Sequence, residues 1–223
     1  MAEARSVDTR ERILDAAERL FTANGFDGAS MRQITGAAGV NLASVNYHFG
    51  SKEALVQEVF RRRLAWLNTE RLRVLTALEQ VAGGKPLKPS QIVEGFFGTL
   101  LGMAQDEARG GVTFLRLLGR TLTDPADFIR TFLADEYQEV VERYKMALFK
   151  ALPDVPRAEI AWRFHFMLGA TSYAIAGTDA LRLVTDWQVD DEDATDRLDR
   201  LQPRLMSFLL GGLRAPLPKF HDA

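Results

Sequence analysis

Apolar residues recur along most of the chain at the three- and four-residue spacing that is typical of α-helices. Near the start, Ile13, Leu14, Ala17, Leu20 and Phe21 fall on one face of a helix. The period-two alternation of β-strands and the Asn-Gly signal of tight hairpins are missing. The pattern therefore predicts an all-α protein.

Capping residues divide the first part of the chain into short helices. Gly25 is a C-terminal stop signal for the first helix, and Ser30 with Gln33 has the spacing of a capping box for the second. Asn41 and Ser51 are good N-cap residues for a third and a fourth helix. The sequence predicts three short helices followed by a long one.

The long fourth helix, predicted over 52–81, joins two predicted domains. We expect a three-helix domain at residues 1–55. The remainder, residues 56–223, is predicted to be a larger helical domain. Glycine and proline breaks divide the second domain into predicted helices at 91–105, 112–121, 125–152, 157–184 and 193–213.

Composition excludes several classes of chemistry. The chain has 223 residues, no cysteine and three histidines, so disulfides, thiolate metal sites and cysteine nucleophiles are excluded. The histidines form no catalytic or zinc motif, and the acidic run at 190–196 lacks the spacing of a calcium loop. We therefore expect no enzyme, no metal and no cofactor.

Charge and hydropathy limit the classes of partner that the protein can bind. The start of the chain lacks an apolar signal region, and no apolar stretch reaches the ~18 residues that a membrane span needs. This predicts a soluble, cytoplasmic protein with no membrane partner. Residues 1–63 hold nine Lys and Arg against eight Asp and Glu, a balance of +1. DNA binding would therefore depend on local donors rather than on bulk charge.

Residues 30–55 have the pattern of a helix-turn-helix, with a glycine-containing turn before a short second helix. Val40, Val45 and Phe49 are predicted to point inward. The residues left outside are short, polar or aromatic, as entry into a DNA major groove requires. They are Asn41, Leu42, Ala43, Ser44, Asn46, Tyr47 and His48.

Residues 10–55 resemble the DNA-binding domain of the tetracycline-repressor (TetR) family, through RILDAAERLFTANGFDGASMRQITGAAGV and NYHFGSKEAL. One departure is Asn46, where many members have a tyrosine. The resemblance implies that the base edges are read by Asn41, Leu42, Ala43, Ser44 and Asn46. It implies phosphate contacts for Ser30, Arg32, Tyr47, His48 and Lys52.

In the second domain, FLRLLGR and WRFHFMLGA resemble the fatty-acid-responsive repressors of this family. Its aromatic and methionine residues suit a small apolar effector such as an acyl chain, although each also fits a packed core. The predicted pocket wall consists of Phe97, Phe114, Leu118, Trp162, Phe166 and Tyr173. The candidates for contacting an acidic head group are Arg116, Arg120, Arg163 and His165, and surface ion pairs are the alternative for the arginines.

Small residues on one long helix, together with an apolar final helix, favour a homodimer. The predicted interface residues are Gly169, Ala170, Ala174, Leu201, Leu205 and Phe208, with packing inside one chain as the alternative. The resemblance implies a four-helix interface between two copies. A two-fold dimer places its two reading helices about one DNA turn apart, which implies a near-palindromic double-stranded operator.

Together these features predict a ligand-responsive repressor that leaves its operator when an apolar effector, such as a fatty acid or acyl-CoA, binds. Two alternatives stay open. One is a helical interaction scaffold without DNA binding, which leaves the motif at 30–55 unexplained. The other is a regulator of the same family that controls drug efflux and binds an aromatic drug.

Overall fold

The computed structural model describes residues 2–123, 126–177 and 194–219. Every regular element in these ranges is helical, which confirms the all-α class. The α-helices are α1 (Ala2–Gly28), α2 (Met31–Ala38), α3 (Leu42–Phe49), α4 (Lys52–Ala82), α5 (Pro89–Val93), α6 (Thr99–Gly102), α7 (Gly111–Thr123), α8 (Asp127–Ala151), α9 (Arg157–Ala176) and α10 (Ala194–Leu213).

The starts of α2, α3 and α4 follow the predicted caps. The Ser30 hydroxyl accepts the Gln33 backbone N–H at 3.2 Å, and the Gln33 side-chain oxygen accepts the Ser30 N–H at 2.8 Å. Asn41 and Ser51 cap α3 and α4 in the same way, each through a side-chain oxygen. Such caps satisfy backbone donors that a helix start otherwise leaves unpaired.

Helix α1 extends beyond its predicted end. Gly25 interrupts the helix with a φ of 72° and a ψ of 175°, and the last turn continues to Gly28. Glycine adopts a positive φ without the penalty that a side chain would add. The predicted stop at Gly25 therefore corresponds to a sharp bend within α1.

Helix α4 belongs to both predicted domains. Its first turns pack against α1 and α3, and its later turns pack against α8. The predicted boundary between residues 55 and 56 falls inside this continuous helix. Helix α1 also packs directly against α7, so the two parts of the molecule share one buried core.

The helix predicted over 91–105 is broken into short pieces. Between α5 and α6 lies a π-helical turn, Glu94–Gly98, and the segment ends in a 3₁₀ turn, Met103–Gln105. Glycines at three positions weaken a regular α-helix here. Helix α9 ends at Ala176, before the left-handed Gly177, and the predicted extension over 178–184 lies outside the described residues.

Helices α7 and α9 approach each other closely at Gly119. A methyl group added there would lie 2.6 Å from the Ala176 nitrogen and 2.7 Å from the Ser172 oxygen. Both atoms belong to backbone, which cannot move aside as a side-chain end can. Only glycine therefore fits this contact without a shift of one helix.

No helix in the described ranges is long and apolar enough to cross a membrane. The same residues contain no group of three His, Asp or Glu side chains that could hold a metal ion. Most of the acidic run, at 190–193, lies outside the described residues.

Candidate nucleic-acid interface and ligand cavity

Helix α3 presents the outward face that its sequence predicts. Val45 and Phe49 are buried against α1 and α4, whereas Leu42 is 52% and Tyr47 84% exposed. Three further predicted residues are exposed, namely Asn41, Ala43 and Asn46, while Ser44 and His48 are half-buried. An exposed helix face of this width is what the major groove accommodates.

Two of the predicted base-reading residues are engaged with each other. The Asn41 side-chain oxygen accepts both the Ser44 backbone N–H at 2.8 Å and the Ser44 hydroxyl at 3.0 Å. These groups hold the start of α3 in place. Within the described part of the chain, no hydrogen bond engages the side-chain amide of Asn46, which leaves its donors and its acceptor available for a base edge.

The predicted phosphate-binding residues surround α3. Arg32 is exposed on α2, and the rings of Tyr47 and His48 pack edge to face, with centroids 5.2 Å apart. The Lys52 ammonium lies 4.3 Å from the centre of the Phe26 ring, a cation–π distance. The Ser30 hydroxyl, in contrast, is already committed to its cap.

The N-terminus of α4 already holds a negative charge from the chain itself. The backbone N–H and the Ser51 hydroxyl lower the pKa of the exposed Glu53 carboxyl. This is the effect expected of an acid in the first turn of a helix. A phosphate approaching α4 would therefore meet a site that Glu53 already occupies.

Arg12 fixes the turn of the helix-turn-helix to α1. Its Nη2 donates to the Ala38 oxygen at 2.5 Å and to the Gly39 oxygen at 3.2 Å. Gly39 ends α2 with a φ of 64°, and a methyl group there would lie 2.8 Å from the same Arg12 nitrogen. The orientation of α3 relative to α1 thus depends on this guanidinium.

The second domain encloses a cavity of about 610 Å³ between α4, the α5–α6 segment, α7, α8 and α9. Volumes of this order hold small organic ligands. Three of the predicted ligand residues line it: Phe97, Leu118 and His165. The remaining lining residues are Arg71, Phe96, Leu100, Leu122, Arg130, Leu133, Ala134, Tyr137, Val141, Leu168, Thr171, Ser172 and Ile175.

The structure corrects the predicted pocket wall. Phe114 does not line the cavity but packs on Phe60 in the core, with ring centroids 5.9 Å apart. Trp162, Phe166 and Tyr173 lie on the outer face of α9 and are 58%, 64% and 47% exposed. Both faces of α9 are apolar, so periodicity alone could not determine which one faces inward.

Three of the four predicted head-group contacts also lie elsewhere. Arg116 is exposed, and Arg120 donates from Nη1 to the Thr22 oxygen of α1 at 2.6 Å. Arg163 is buried, but its Nε donates to Glu159 at 2.9 Å and its Nη1 to the Leu213 oxygen at 2.6 Å. None of the three lines the cavity, and Arg120 and Arg163 instead hold other parts of the chain together.

Arg71 is the functional candidate that sequence reasoning missed. It is 1% exposed, its Nε donates to the Phe96 oxygen at 2.9 Å, and its guanidinium carbon lies 3.8 Å from the Phe96 ring centre. Burial lowers the pKa of this guanidinium. A sequence signal was present, because Arg71 occupies a position of the apolar stripe formed by Leu64, Leu67 and Leu75.

Two tyrosines flank the buried guanidinium. The Tyr137 ring centre lies 5.8 Å from the Arg71 guanidinium carbon, and the Tyr144 hydroxyl donates to the Arg71 backbone oxygen at 2.8 Å. Burial raises the pKa of Tyr137, and it raises the pKa of Tyr144 to about 12. Both phenols therefore stay neutral at physiological pH.

A second apolar surface lies on the outer face of the second domain. Trp162, Phe166 and Phe208 line a groove of about 740 Å³ between α9 and α10, and Phe208 is 67% exposed. Of the predicted dimer residues, Gly169 is exposed, while Ala170, Ala174 and Leu201 are half-buried. Leu205 is instead buried in the core of its own chain.

Helix α7 connects the cavity to the DNA-binding unit. Leu118 and Leu122 line the cavity, and Arg120 between them donates to the Thr22 oxygen of α1. The Thr22 hydroxyl in turn donates to the Thr113 oxygen of α7 at 3.3 Å. A displacement of α7 would therefore reach α1 directly.

These features define a helix-turn-helix protein whose second domain holds a cavity of ligand size. The family described as "Bacterial regulatory proteins, tetR family" matches residues 13–59, and "Tetracyclin repressor-like, C-terminal domain" matches residues 94–212. The second match alone covers more than half of the chain. The chain belongs to the TetR family of bacterial regulatory proteins.

Individual relatives agree with this assignment. The HTH-type transcriptional regulator UidR of Escherichia coli (strain K12) is 45% identical over 51 residues, which are 23% of this chain and 26% of UidR. The match thus spans about a quarter of that relative. The structure of the ketosteroid transcriptional regulator KstR2 of Mycobacterium tuberculosis has a TM-score of 0.60 at 18% identity, covering 91% of this chain and 93% of that one.

The fatty acid degradation regulator FadR of Bacillus halodurans has a TM-score of 0.57 at 16% identity, covering 92% of this chain and 99% of that one. At these identities both structural neighbours establish the fold of the second domain and leave its ligand open.

Proposed function

We propose that this protein is a ligand-responsive transcriptional repressor. It binds a near-palindromic operator as a homodimer and is released when a small apolar effector enters the second domain. The observation that carries the proposal is the exposed face of α3, held on a fully capped helix-turn-helix unit that α1 clamps through Arg12. Family membership supports the same role.

In this proposal the two kinds of DNA contact are divided between neighbouring elements. Asn46 is the principal base reader, because its amide can pair with an adenine edge and is not used in a cap. Leu42 and Ala43 contact apolar groups of the same groove, while Asn41 and Ser44 keep the start of α3 in shape.

Phosphate contacts come from Arg32, Tyr47, His48 and Lys52, all of which border α3. They set the register on the duplex without carrying sequence information. The Ser30 cap contributes by fixing α2.

The homodimer is proposed to form through the apolar face of α9 and α10. Trp162, Phe166 and Phe208 would be covered by the same residues of a second copy, as two-fold symmetry requires. Large aromatic side chains exposed together are typical of protein interfaces. The dimer would place two copies of α3 on successive turns of one DNA face.

Release of the operator is proposed to follow a shift of α7. An effector in the cavity contacts Leu118 and Leu122, and the same helix is bonded to α1 through Arg120 and Thr113. A coupling free energy of about 1–3 kcal/mol between the two sites is enough for such a switch. The fold shared with FadR agrees with an effector that carries an acyl chain.

The test is a selection of bound fragments from random DNA, followed by fluorescence anisotropy on the enriched sequence. The wild-type protein should bind that sequence with at least about a thousandfold preference over scrambled DNA at physiological salt. Asn46→Ala should lose about tenfold or more of that affinity. Gln138→Ala, an exposed amide on α8, is the matched control and should bind as the wild type does. If no sequence is enriched, the proposed function is wrong.

A further inference from the structure

The guanidinium of Arg71 lies in the cavity without an acidic partner in the described part of the chain. The groups that contact it there are uncharged: the Phe96 carbonyl oxygen and the rings of Phe96 and Tyr137. No hydrogen bond to the described residues reaches its Nη1. None of the described residues that line the cavity is an aspartate or a glutamate.

Such an arrangement is unfavourable in the empty protein. Moving a cation out of water costs free energy unless an anion or strong hydrogen bonds compensate it. One bond to the Phe96 oxygen and the two aromatic rings of Phe96 and Tyr137 compensate Arg71 only in part. The remaining donors therefore favour a ligand that brings a negative charge into the cavity.

We propose that the effector is an amphipathic carboxylate whose head group binds Arg71 and whose apolar body fills the rest of the cavity. This rests on the proposed function, since it defines the ligand of the same regulatory site. The planar guanidinium matches a carboxylate geometrically, and the Tyr137 hydroxyl supplies a further donor. The body would pack against Leu100, Leu133 and Leu168.

The charge balance of the site favours a carboxylate over a phosphate. One buried cation neutralises one negative charge, whereas a phosphate monoester brings up to two into an otherwise apolar space. The other ionisable lining groups are Arg130 and His165, both exposed where the cavity reaches solvent, and Tyr137. None of them is acidic, so no described lining residue repels an incoming carboxylate.

The experiment compares acids with uncharged analogues of the same shape. Isothermal titration of the full chain would use dodecanoate against dodecan-1-ol, and 1-pyrenebutyrate against 1-pyrenebutanol, which cover a flexible and a flat body. The wild type should bind at least one acid about tenfold or more tightly than its alcohol, because the bond is charge-assisted. Arg71→Met should abolish this preference while the alcohol still binds.

Arg73→Met is the matched control, because Arg73 lies on the same helix but is exposed and paired with Glu70. It should keep the wild-type preference for acids. Thermal unfolding of the empty proteins supplies a second readout. Arg71→Met should have a Tm equal to or above that of the wild type, since it removes an unpaired buried charge. Arg71→Lys keeps the charge without the planar fork and should keep only a reduced preference.

Several outcomes would overturn the proposal. These are equal binding of acid and alcohol, no binding of either pair, or an acid preference that survives Arg71→Met. All of these measurements are made without DNA, so they are independent of operator binding. A protein that binds its operator but shows no acid preference keeps the proposed function and loses this inference. A protein that prefers the acids but binds no DNA keeps the inferred ligand class and loses the proposed function.

Discussion

The buried carboxylate of Glu18 accepts a hydrogen bond from Nη2 of Arg63 at 2.8 Å. The Nη1 of the same arginine donates to the Ala108 oxygen at 2.9 Å, in the turn that precedes α7. Glu18 also accepts from Nη2 of Arg62 at 2.5 Å. Glu18 of α1 thus binds two arginines of α4, and through Arg63 it also fixes the turn that precedes α7, a helix that lines the cavity.

Replacing Glu18 by Gln should lower the free energy of unfolding by about 3 kcal/mol. The change leaves the largely buried Arg63 without the acid it pairs with, whereas Arg62 keeps Glu11 and Asp15. Urea denaturation would measure the loss. Glu11→Gln is the control: Glu11 pairs with Arg62 at 2.9 Å but 45% of its side chain is exposed, against 4% for Glu18, and its loss should cost less than about 1 kcal/mol. Equal losses in the two variants would contradict the role given to burial.

Lys52→Ala should weaken DNA binding to a similar extent on specific and on scrambled sequences. A phosphate contact carries no sequence information, and its loss should reduce the slope of log affinity against log salt by about 1. Anisotropy titrations at several salt concentrations would measure the slope. Lys145→Ala removes a lysine of α8 that pairs with Glu142 and should leave the slope unchanged. A loss confined to the specific sequence would assign Lys52 to base reading instead.

Phe166→Glu should separate the proposed dimer into single chains. A charge would be buried against the same groove of the second copy, whose lining arginine, Arg163, is already paired with Glu159. Sedimentation velocity should report half the wild-type mass, with an unchanged circular dichroism spectrum. Val81→Glu is the control, since Val81 is 90% exposed on α4 and lies outside this groove. A wild type that sediments as a single chain at micromolar concentration would contradict the proposed interface.

Ionisation of the Tyr144 phenol should make the protein less stable in strong alkali. The pKa of this phenol is about 12 in the folded chain and about 10 when unfolded. The contribution of Tyr144 to the free energy of unfolding is therefore complete below pH ~10. About 2–3 kcal/mol of it is lost as the pH rises through 12. Urea denaturation across this range would compare the wild type with Tyr144→Phe, whose decline should be shallower by that amount. Parallel declines would show that other groups cause the loss.

Gly119→Ala should destabilise the protein by about 1–3 kcal/mol, because the added methyl group overpacks a contact between two backbones. Gly102→Ala adds the same group where no atom lies within 4 Å. That control should be neutral or stabilising, since alanine favours a helix. Thermal unfolding would compare the two. An unaffected Gly119→Ala protein would mean that α7 can move away from α9 at little cost.

The features that the sequence predicted correctly are local ones. A capping box such as that of Ser30 and Gln33 depends on residues three apart, so its geometry can be deduced from the sequence alone. The inward positions of Val45 and Phe49 follow in the same way from helical periodicity. The DNA-binding unit was predictable because short-range rules determine most of it.

The cavity depends on contacts between distant segments. Both faces of α9 are apolar, so the sequence could not assign Trp162 to the outer face and Leu168 to the inner one. Arg71 could be noticed as a charge within an apolar stripe. Its place beside Phe96 and Tyr137 becomes evident only when α4, the π-helical turn and α8 are assembled.

In the proposed mechanism, the close contact at Gly119 is the point about which α7 rotates, and this point does not lie at the centre of the helix. Leu122, at the cavity, lies about 4.5 Å beyond that point, whereas Thr113, at α1, lies about 9 Å before it, at ~1.5 Å per residue. Because the backbones of α7 and α9 are already in contact there, α7 cannot move closer to α9 at Gly119, and a push on Leu122 toward α9 would rotate the helix about this point. In the proposed mechanism, a displacement of about 1 Å at Leu122 would move Thr113 by about 2 Å in the opposite direction. Thr113 lies on the longer arm and would move further than Leu122, whereas Arg120, which also bonds α1, lies beside Gly119 and would move least.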